Sequence, residues 1–228
     1  MIQFLSALAL FLLLHSVPAI PAIRQFLVAR LGRRLYLALY SLASLLTLGW
    51  VFHAALQLDY IELWPPAAWQ AWFPILLTPV AFFLLLAGLL SPNPASVTLR
   101  RAGGRPGAIL AISRHPVLWG FLLWAVGHIV ANGDLRSLML FGVFALFSIF
   151  GMVMAERRSG RKADPALQEL LNSTSILPFA AILQGRDRLR LDAAIILALG
   201  ISGLLTAWLL LGGHAALFGA DPLAMTGI

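Results

Sequence analysis

The chain of 228 residues has no cysteine and few charged residues. Asp and Glu number 9 and Lys and Arg number 16, whereas 61% of the residues are hydrophobic. Without cysteine there can be no disulfide, thiolate metal site or c-type haem attachment. The charged fraction of 11% is far below the roughly 25% of a soluble domain. A nucleic-acid binder is also disfavoured, because it needs a basic polar face around a soluble core. The composition predicts an all-α, polytopic integral membrane protein.

Six long uncharged stretches separate the charged residues. Because a charge at the bilayer centre is costly and a helix of about 20 residues crosses the bilayer, each stretch predicts one transmembrane helix. Prolines at 65, 66, 92 and 94 limit the third. The first is predicted to be a span and not a signal peptide, because no Lys or Arg precedes it. The six helices are predicted within a single domain over 1–228, at 2–21, 35–57, 72–90, 111–132, 137–155 and 193–213.

The basic residues lie almost entirely on alternate connections. Of the 16 Lys and Arg residues, 15 fall on three of them, including Arg100, Arg101 and Arg105, and only Arg136 falls on the other side. Basic loops stay in the cytoplasm, so the predicted topology is N-out and C-out, with the lipid bilayer as partner and no nucleic acid. The polar stretch 156–190 is predicted to be a cytoplasmic loop. It contains an amphipathic segment at Pro165–Leu171, and its apolar end, 176–179, is expected at the membrane surface.

All five histidines lie in uncharged stretches: His15, His53, His115, His128 and His214. An ionisable residue at membrane depth is a functional hypothesis by default. Any single imidazole could instead bond a backbone carbonyl or lie at the headgroup level. For His214 the position at the headgroup level is favoured. Five together favour a functional site.

Haem is the cofactor that fits these residues best. Zinc is disfavoured because cysteine, a histidine pair at i, i+4 and a nearby acidic ligand are all missing. Nucleophilic catalysis has little support, since no acidic residue lies at membrane depth to orient a histidine beside Ser16 or Ser113. Haem is apolar and one or two imidazoles can hold it. Depth along the helices favours His53 with His128 as axial ligands.

Several separated motifs follow one another along the chain: His15-Ser16, the run from Ile112 to Gly120, Gly127-His128 and Ser175–Ile182. Together they resemble the NnrU family, bacterial membrane proteins linked to denitrification and nitric oxide metabolism, and they are similar to plant 15-cis-zeta-carotene isomerases. The resemblance implies a bacterial inner membrane as the location. The resemblance implies haem b. It implies His15 and His128 as the ligands, with His53 also implicated, so the choice between His15 and His53 stays open. The plant enzyme has a cysteine where this chain has Ala125, so a thiol-dependent ligand exchange is not expected.

The motif Arg114-His115-Pro116, followed by Gly120, more distantly resembles the cofactor-binding segment of isoprenylcysteine and phospholipid-type membrane methyltransferases. That resemblance implies S-adenosylmethionine binding at Arg114 and His115. The alternative is that Pro116 begins a helix and Arg114 marks the membrane surface. Those enzymes also carry paired acidic residues, where this chain has Glu156 followed by two arginines.

The resemblance therefore implies a haem b protein with a role in nitrite and nitric oxide reduction. The expected partners are denitrification components or a small lipid-soluble substrate. Two alternatives remain open, a haem-dependent isomerase of cis-carotenoids and an S-adenosylmethionine-dependent methyltransferase.

Overall fold

The computed structural model describes residues 1–100 and 105–227. Arg101, one of the basic residues counted above, lies outside them. The described residues are helical, with one isolated antiparallel bridge, Glu62 with Asp134, and no strand. The all-α prediction is confirmed. The helices are α1 (Ile2–Ser16), α2 (Pro21–Leu56), α3 (Ala68–Leu90), α4 (Pro116–Asn132), α5 (Leu135–Gly160), α6 (Pro165–Ser173), α7 (Ala180–Leu183), α8 (Ala193–Trp208) and α9 (His214–Phe218).

Four stretches of helix in the described residues are long and apolar enough to cross a membrane. They are α2, α3, α5 and the run from Ala193 to Phe218 that contains α8 and α9. The other two predicted spans are shorter than predicted. The helix α1 ends at Ser16 because Pro18 and Pro21 follow, and α4 begins only at Pro116 because residues 108–111 form a separate 3-10 turn. With 15 and 17 residues, α1 and α4 fall short of the roughly 20 that a span needs, so six spans remain a prediction.

The chain divides into two compact units. The first contains Met1–Glu62 with Asp134–Arg136, and in it α1 packs against α2. Gly32 interrupts α2 with φ 73° and ψ 154°, a conformation that is open to glycine but not to residues with a Cβ. The helix therefore consists of two helical pieces joined at one residue.

The second unit contains Leu63–Gly133 and the residues from Ser137 onward, and in it α3 packs against both α4 and α8. Its core contains Leu84 and Ala87 of α3, Ile109 and Ile112 of the following loop, and Ala198 of α8. Asp192 connects the start of α8 to the loop before α4. One of its carboxylate oxygens accepts from the backbone N–H of Ile195 in α8, and the other accepts from the backbone N–H of Ala108 in the loop.

Glycines allow α3 and α4 to approach closely. A Cβ at Gly120 of α4 would lie 2.6 Å from the carbonyl oxygen of Ala81 in α3, and a Cβ at Gly88 of α3 would lie 2.7 Å from Val117. Helices in a membrane associate through such small residues, since lipid provides no hydrophobic driving force between them. The close pairing of α3 with α4 therefore requires residues without a side chain at positions 88 and 120.

The amphipathic segment predicted at Pro165–Leu171 is helical, as α6. Asp164 caps its N-terminus by accepting hydrogen bonds from the backbone N–H groups of Ala166 and Leu167, and Pro165 occupies the first turn. Leu167 is its buried residue. The helix brings Leu171 and the following Thr174 to the loop that precedes α4.

Candidate functional site

The most connected polar group in the second unit is the guanidinium of Arg114. Its Nη1 donates to Glu156 Oε2 at 2.6 Å, its Nε to Thr174 Oγ1 at 3.0 Å, and its Nη2 to the carbonyl oxygens of Leu171 and Thr174 at 2.5 and 2.9 Å. The side chain is 7% exposed. An arginine can be buried only when its charge is paired and its donors are bonded, and both conditions hold here.

His115 extends this network on the other side of the same carboxylate. Its Nε2 lies 2.8 Å from Glu156 Oε1, and its Nδ1 lies 2.8 Å from Ser96 Oγ. The residue has no exposed surface. We call Ser96, Arg114, His115, Glu156 and Thr174 the Arg114 cluster. It joins the 91–100 loop, the start of α4, the end of α5 and the end of α6.

The cluster contains a hydroxyl, an imidazole and a carboxylate in series, the order of groups in a Ser-His-acid triad. The series puts an acidic residue, Glu156, beside His115, although no acidic partner for a histidine was predicted from the sequence. However, His115 is fully buried, so it has no surface from which to give a proton to a leaving group, as acyl transfer requires. Glu156 is also held by Arg114. The geometry is that of a structural clamp between four segments of chain.

His128 has a different environment within α4. Its Nδ1 lies 2.8 Å from the carbonyl oxygen of Trp124, one turn earlier, and its ring is 5.1 Å from the ring of Trp124 and 4.8 Å from that of Phe141 in α5. A carbonyl oxygen can only accept, so Nδ1 carries the proton and Nε2 of the neutral ring is the nitrogen with a lone pair. Metal-ligating histidines are commonly oriented by this kind of bond.

The other predicted ligands, His15 and His53, belong to the first unit. His15 Nδ1 lies 2.8 Å from the carbonyl oxygen of Phe11, and its ring contacts Phe11 and Tyr40. His53 is exposed in the last turn of α2. In the second unit, the Nδ1 of His214 lies 2.7 Å from the carbonyl oxygen of Ala220.

Several residues of the Arg114 cluster were missed by the sequence analysis. Glu156 was noted only as an incomplete acidic pair, and Ser96 and Thr174 were not singled out. The one available signal was that Glu156 is the only acidic residue on α5. In the described part of the chain no group of three or more His, Cys, Asp or Glu residues could hold a metal ion.

Fold and site together define a helical membrane protein with a buried ionic clamp at one end of α4 and a histidine among aromatic rings near the other. The chain belongs to the NnrU family, since the family model described as "NnrU protein" matches residues 3–222. It is also similar to two curated plant proteins, each described as "15-cis-zeta-carotene isomerase, chloroplastic". The identity is 34% over 86 residues for the Zea mays protein and 31% over 85 residues for the Arabidopsis thaliana protein.

These two similarities cover 37% of this chain but only 23% of each plant protein. The chain thus spans less than a quarter of the length of the curated relatives it matches. No solved structure matches it.

Proposed function

We propose that this protein is a haem b-binding member of the NnrU family, with His128 as an axial ligand of the iron. The observation that carries the proposal is the imidazole of His128, oriented by the Trp124 carbonyl and packed against the rings of Trp124 and Phe141. A neutral imidazole with its lone pair on Nε2 is a suitable haem ligand, and aromatic side chains suit an apolar macrocycle. A haem held there would supply a redox-active iron.

The absorption spectrum of the detergent-purified protein tests this proposal. After expression with added haem precursor, we expect a Soret band and a sharp α band on reduction, and both should be lost or strongly weakened in His128→Leu because the iron loses its ligand. Ile129→Leu, at the next position of α4, is the matched control and should keep the spectrum. His15→Leu and His53→Leu test the other two predicted ligands one at a time.

A well-folded protein that stays colourless under these conditions would contradict haem binding. A His128→Leu spectrum identical to that of the unsubstituted protein would remove His128 from the ligand set. Thermal unfolding followed by tryptophan fluorescence shows whether each variant is folded, since the chain has 7 tryptophans.

Within this proposal, the protein supports nitrite and nitric oxide reduction, the role that the NnrU resemblance implies, with denitrification components as partners. The supporting chemistry is that a haem iron with an exchangeable position can bind nitric oxide. A shift of the Soret band on adding nitric oxide to the reduced protein is the corresponding readout.

The names of the plant relatives favour a second candidate, isomerisation of a 15-cis polyene, a small lipid-soluble substrate. Conversion of such a polyene by the purified protein, followed by chromatography, would favour this candidate over the first. Here too His128 would hold the haem.

Methyl transfer from S-adenosylmethionine has less support. The polar atoms of Arg114 and both ring nitrogens of His115 already bond within the chain. A bound cofactor would have to replace contacts that keep a buried arginine paired, at a considerable cost in free energy.

We further propose six spans with both termini outside the cytoplasm, in a bacterial inner membrane. The distribution of 15 of the 16 basic residues supports this orientation. A reporter that is active only in the periplasm, fused after Ile228, should be active, and one that is active only in the cytoplasm should be silent. The reverse result would overturn the orientation.

A further inference from the structure

Residues 176–183 present apolar side chains outward from the polar loop between α6 and α8. Leu177 is 60% exposed, Phe179 50% and Leu183 84%. None of them lies in a helix long enough to cross a membrane, so a position within a span does not account for this exposure. We call these three residues the apolar wedge.

The backbone around Leu177 and Phe179 is hydrogen-bonded to the loop that precedes α4 and to Trp119 of α4. The N–H of Arg114 donates to the carbonyl oxygen of Ser175 at 2.8 Å, and the N–H of Phe179 donates to that of Ile112 at 2.7 Å. The carbonyl oxygen of Ile176 accepts from Ser113 Oγ and from Trp119 Nε1, both at 2.9 Å. These bonds hold this stretch of backbone, from Ser175 to Phe179, against the start of α4.

Phe179 has φ 63°, and in the described part of the chain it is the one non-glycine residue with a positive φ. This conformation is unfavourable for a bulky side chain and persists only where the surroundings enforce it. The hydrogen bond from its N–H to Ile112 is such a constraint. In this strained conformation the aromatic ring of Phe179 points outward and is half exposed. Burial of the ring within this chain therefore does not offset the free-energy cost of the strained backbone.

The residues after the wedge lead directly into a candidate span. Arg188 and Arg190 alternate with Leu189 and Leu191, and all four side chains are exposed. The helix α8 begins two residues later, at Ala193. At no more than about 3.6 Å per residue, Arg190 lies within about 11 Å of the start of α8, so its side chain can reach the headgroup region, which is about 5–7 Å thick on each side of the bilayer.

We propose that the apolar wedge inserts into the leaflet at which α8 enters the bilayer, with Arg188 and Arg190 at the phosphates of anionic lipids. Alternating apolar and basic side chains are typical of a segment that lies at the membrane interface. The partner is thus the lipid surface itself, contacted by a short hydrogen-bonded segment in addition to the spanning helices.

The absence of cysteine allows a direct test, because each introduced cysteine is a unique attachment site. Leu177→Cys and Leu183→Cys are labelled with an environment-sensitive nitrobenzoxadiazole dye, and the full chain is placed in nanodiscs of phosphatidylcholine and phosphatidylglycerol. Glu169→Cys is the control, since Glu169 is exposed on α6 but belongs to neither the wedge nor a span.

We expect nitroxide-labelled lipids to quench most of the emission from positions 177 and 183, and aqueous iodide to quench little of it. The label at Glu169 should show the opposite pattern. In discs of phosphatidylcholine alone the nitroxide quenching should weaken, because the arginines lose their anionic partners. All three substituted side chains are exposed, so folding should be preserved, and tryptophan fluorescence on heating checks this.

Two outcomes would overturn the proposal. Iodide quenching at positions 177 and 183 equal to that at 169 would place the wedge in water. Protection from both quenchers would mean that protein covers the wedge, either a second copy or another chain. Equal nitroxide quenching in the two lipid compositions would remove anionic lipids from the proposal.

Discussion

Glu156→Leu should destabilise the protein by about 3 kcal/mol, the lower end of the usual cost of removing one partner from a buried ion pair, because the side chain of Glu156 is 26% exposed. The substitution leaves the guanidinium of Arg114, which is 7% exposed, without its carboxylate, and it leaves Nε2 of His115 without its acceptor. Thermal unfolding followed by tryptophan fluorescence measures the loss, at about 2–4 °C per kcal/mol for a chain of this length.

Three further variants, Glu169→Leu, Arg114→Leu and the double variant of Arg114 and Glu156, separate the ion pair from a simple change in packing. Glu169→Leu removes an exposed carboxylate from α6 and should change stability by no more than about 0.5 kcal/mol. In the double variant Arg114→Leu with Glu156→Leu, the loss should be smaller than the sum of the single losses, because no unpaired charge remains. Additive losses, or a Glu156→Leu effect as small as that of Glu169→Leu, would contradict the clamp.

Gly120→Ala should also destabilise the protein, by about 1–3 kcal/mol, because the new Cβ overpacks a filled interface. The Cβ would lie 2.6 Å from the carbonyl oxygen of Ala81 and 3.1 Å from the backbone nitrogen of Leu85. Backbone atoms cannot rotate away as a side chain can, so α3 and α4 must separate. The same unfolding measurement detects this.

Gly142→Ala in α5 is the matched control. A Cβ there meets nothing within 4 Å, and the exchange should change stability by less than about 1 kcal/mol, in the stabilising direction, because alanine has the higher helix propensity. If Gly120→Ala behaves in the same way, α3 and α4 do not pack as closely as described.

Much of the architecture could be predicted from where the charged residues lie. The uncharged stretches located α3, α5 and α8 well, because the cost of a charge in lipid leaves a clear pattern in the sequence. The lengths of α1 and α4 were predicted less well. Hydrophobicity alone does not reveal that Pro18 ends one helix early or that residues 108–111 turn before the other begins.

The candidate site was less accessible to sequence reasoning. Arg114 and His115 were singled out by a motif, but their shared partner Glu156 lies about forty positions away on another helix, and no periodicity connects them. Nothing in the sequence distinguishes Thr174 and Ser96 from other loop residues. Only the folded chain places Thr174 at the guanidinium of Arg114 and Ser96 at the imidazole of His115. His128 was predicted as a candidate ligand from the sequence, but its tautomer depends on a backbone carbonyl that only the structure locates.

The break at Gly32 determines how α2 can fit a bilayer. An unbroken helix from Pro21 to Leu56, 36 residues long, would extend about 54 Å at 1.5 Å per residue, far more than the roughly 30 Å hydrocarbon thickness. With the joint at Gly32, the apolar piece from Leu35 to Leu56 is about 33 Å long and needs only a slight tilt. Arg24 and Arg30 then belong to a separate piece whose axis can follow the headgroups, so one glycine relieves the hydrophobic mismatch of the longest helix.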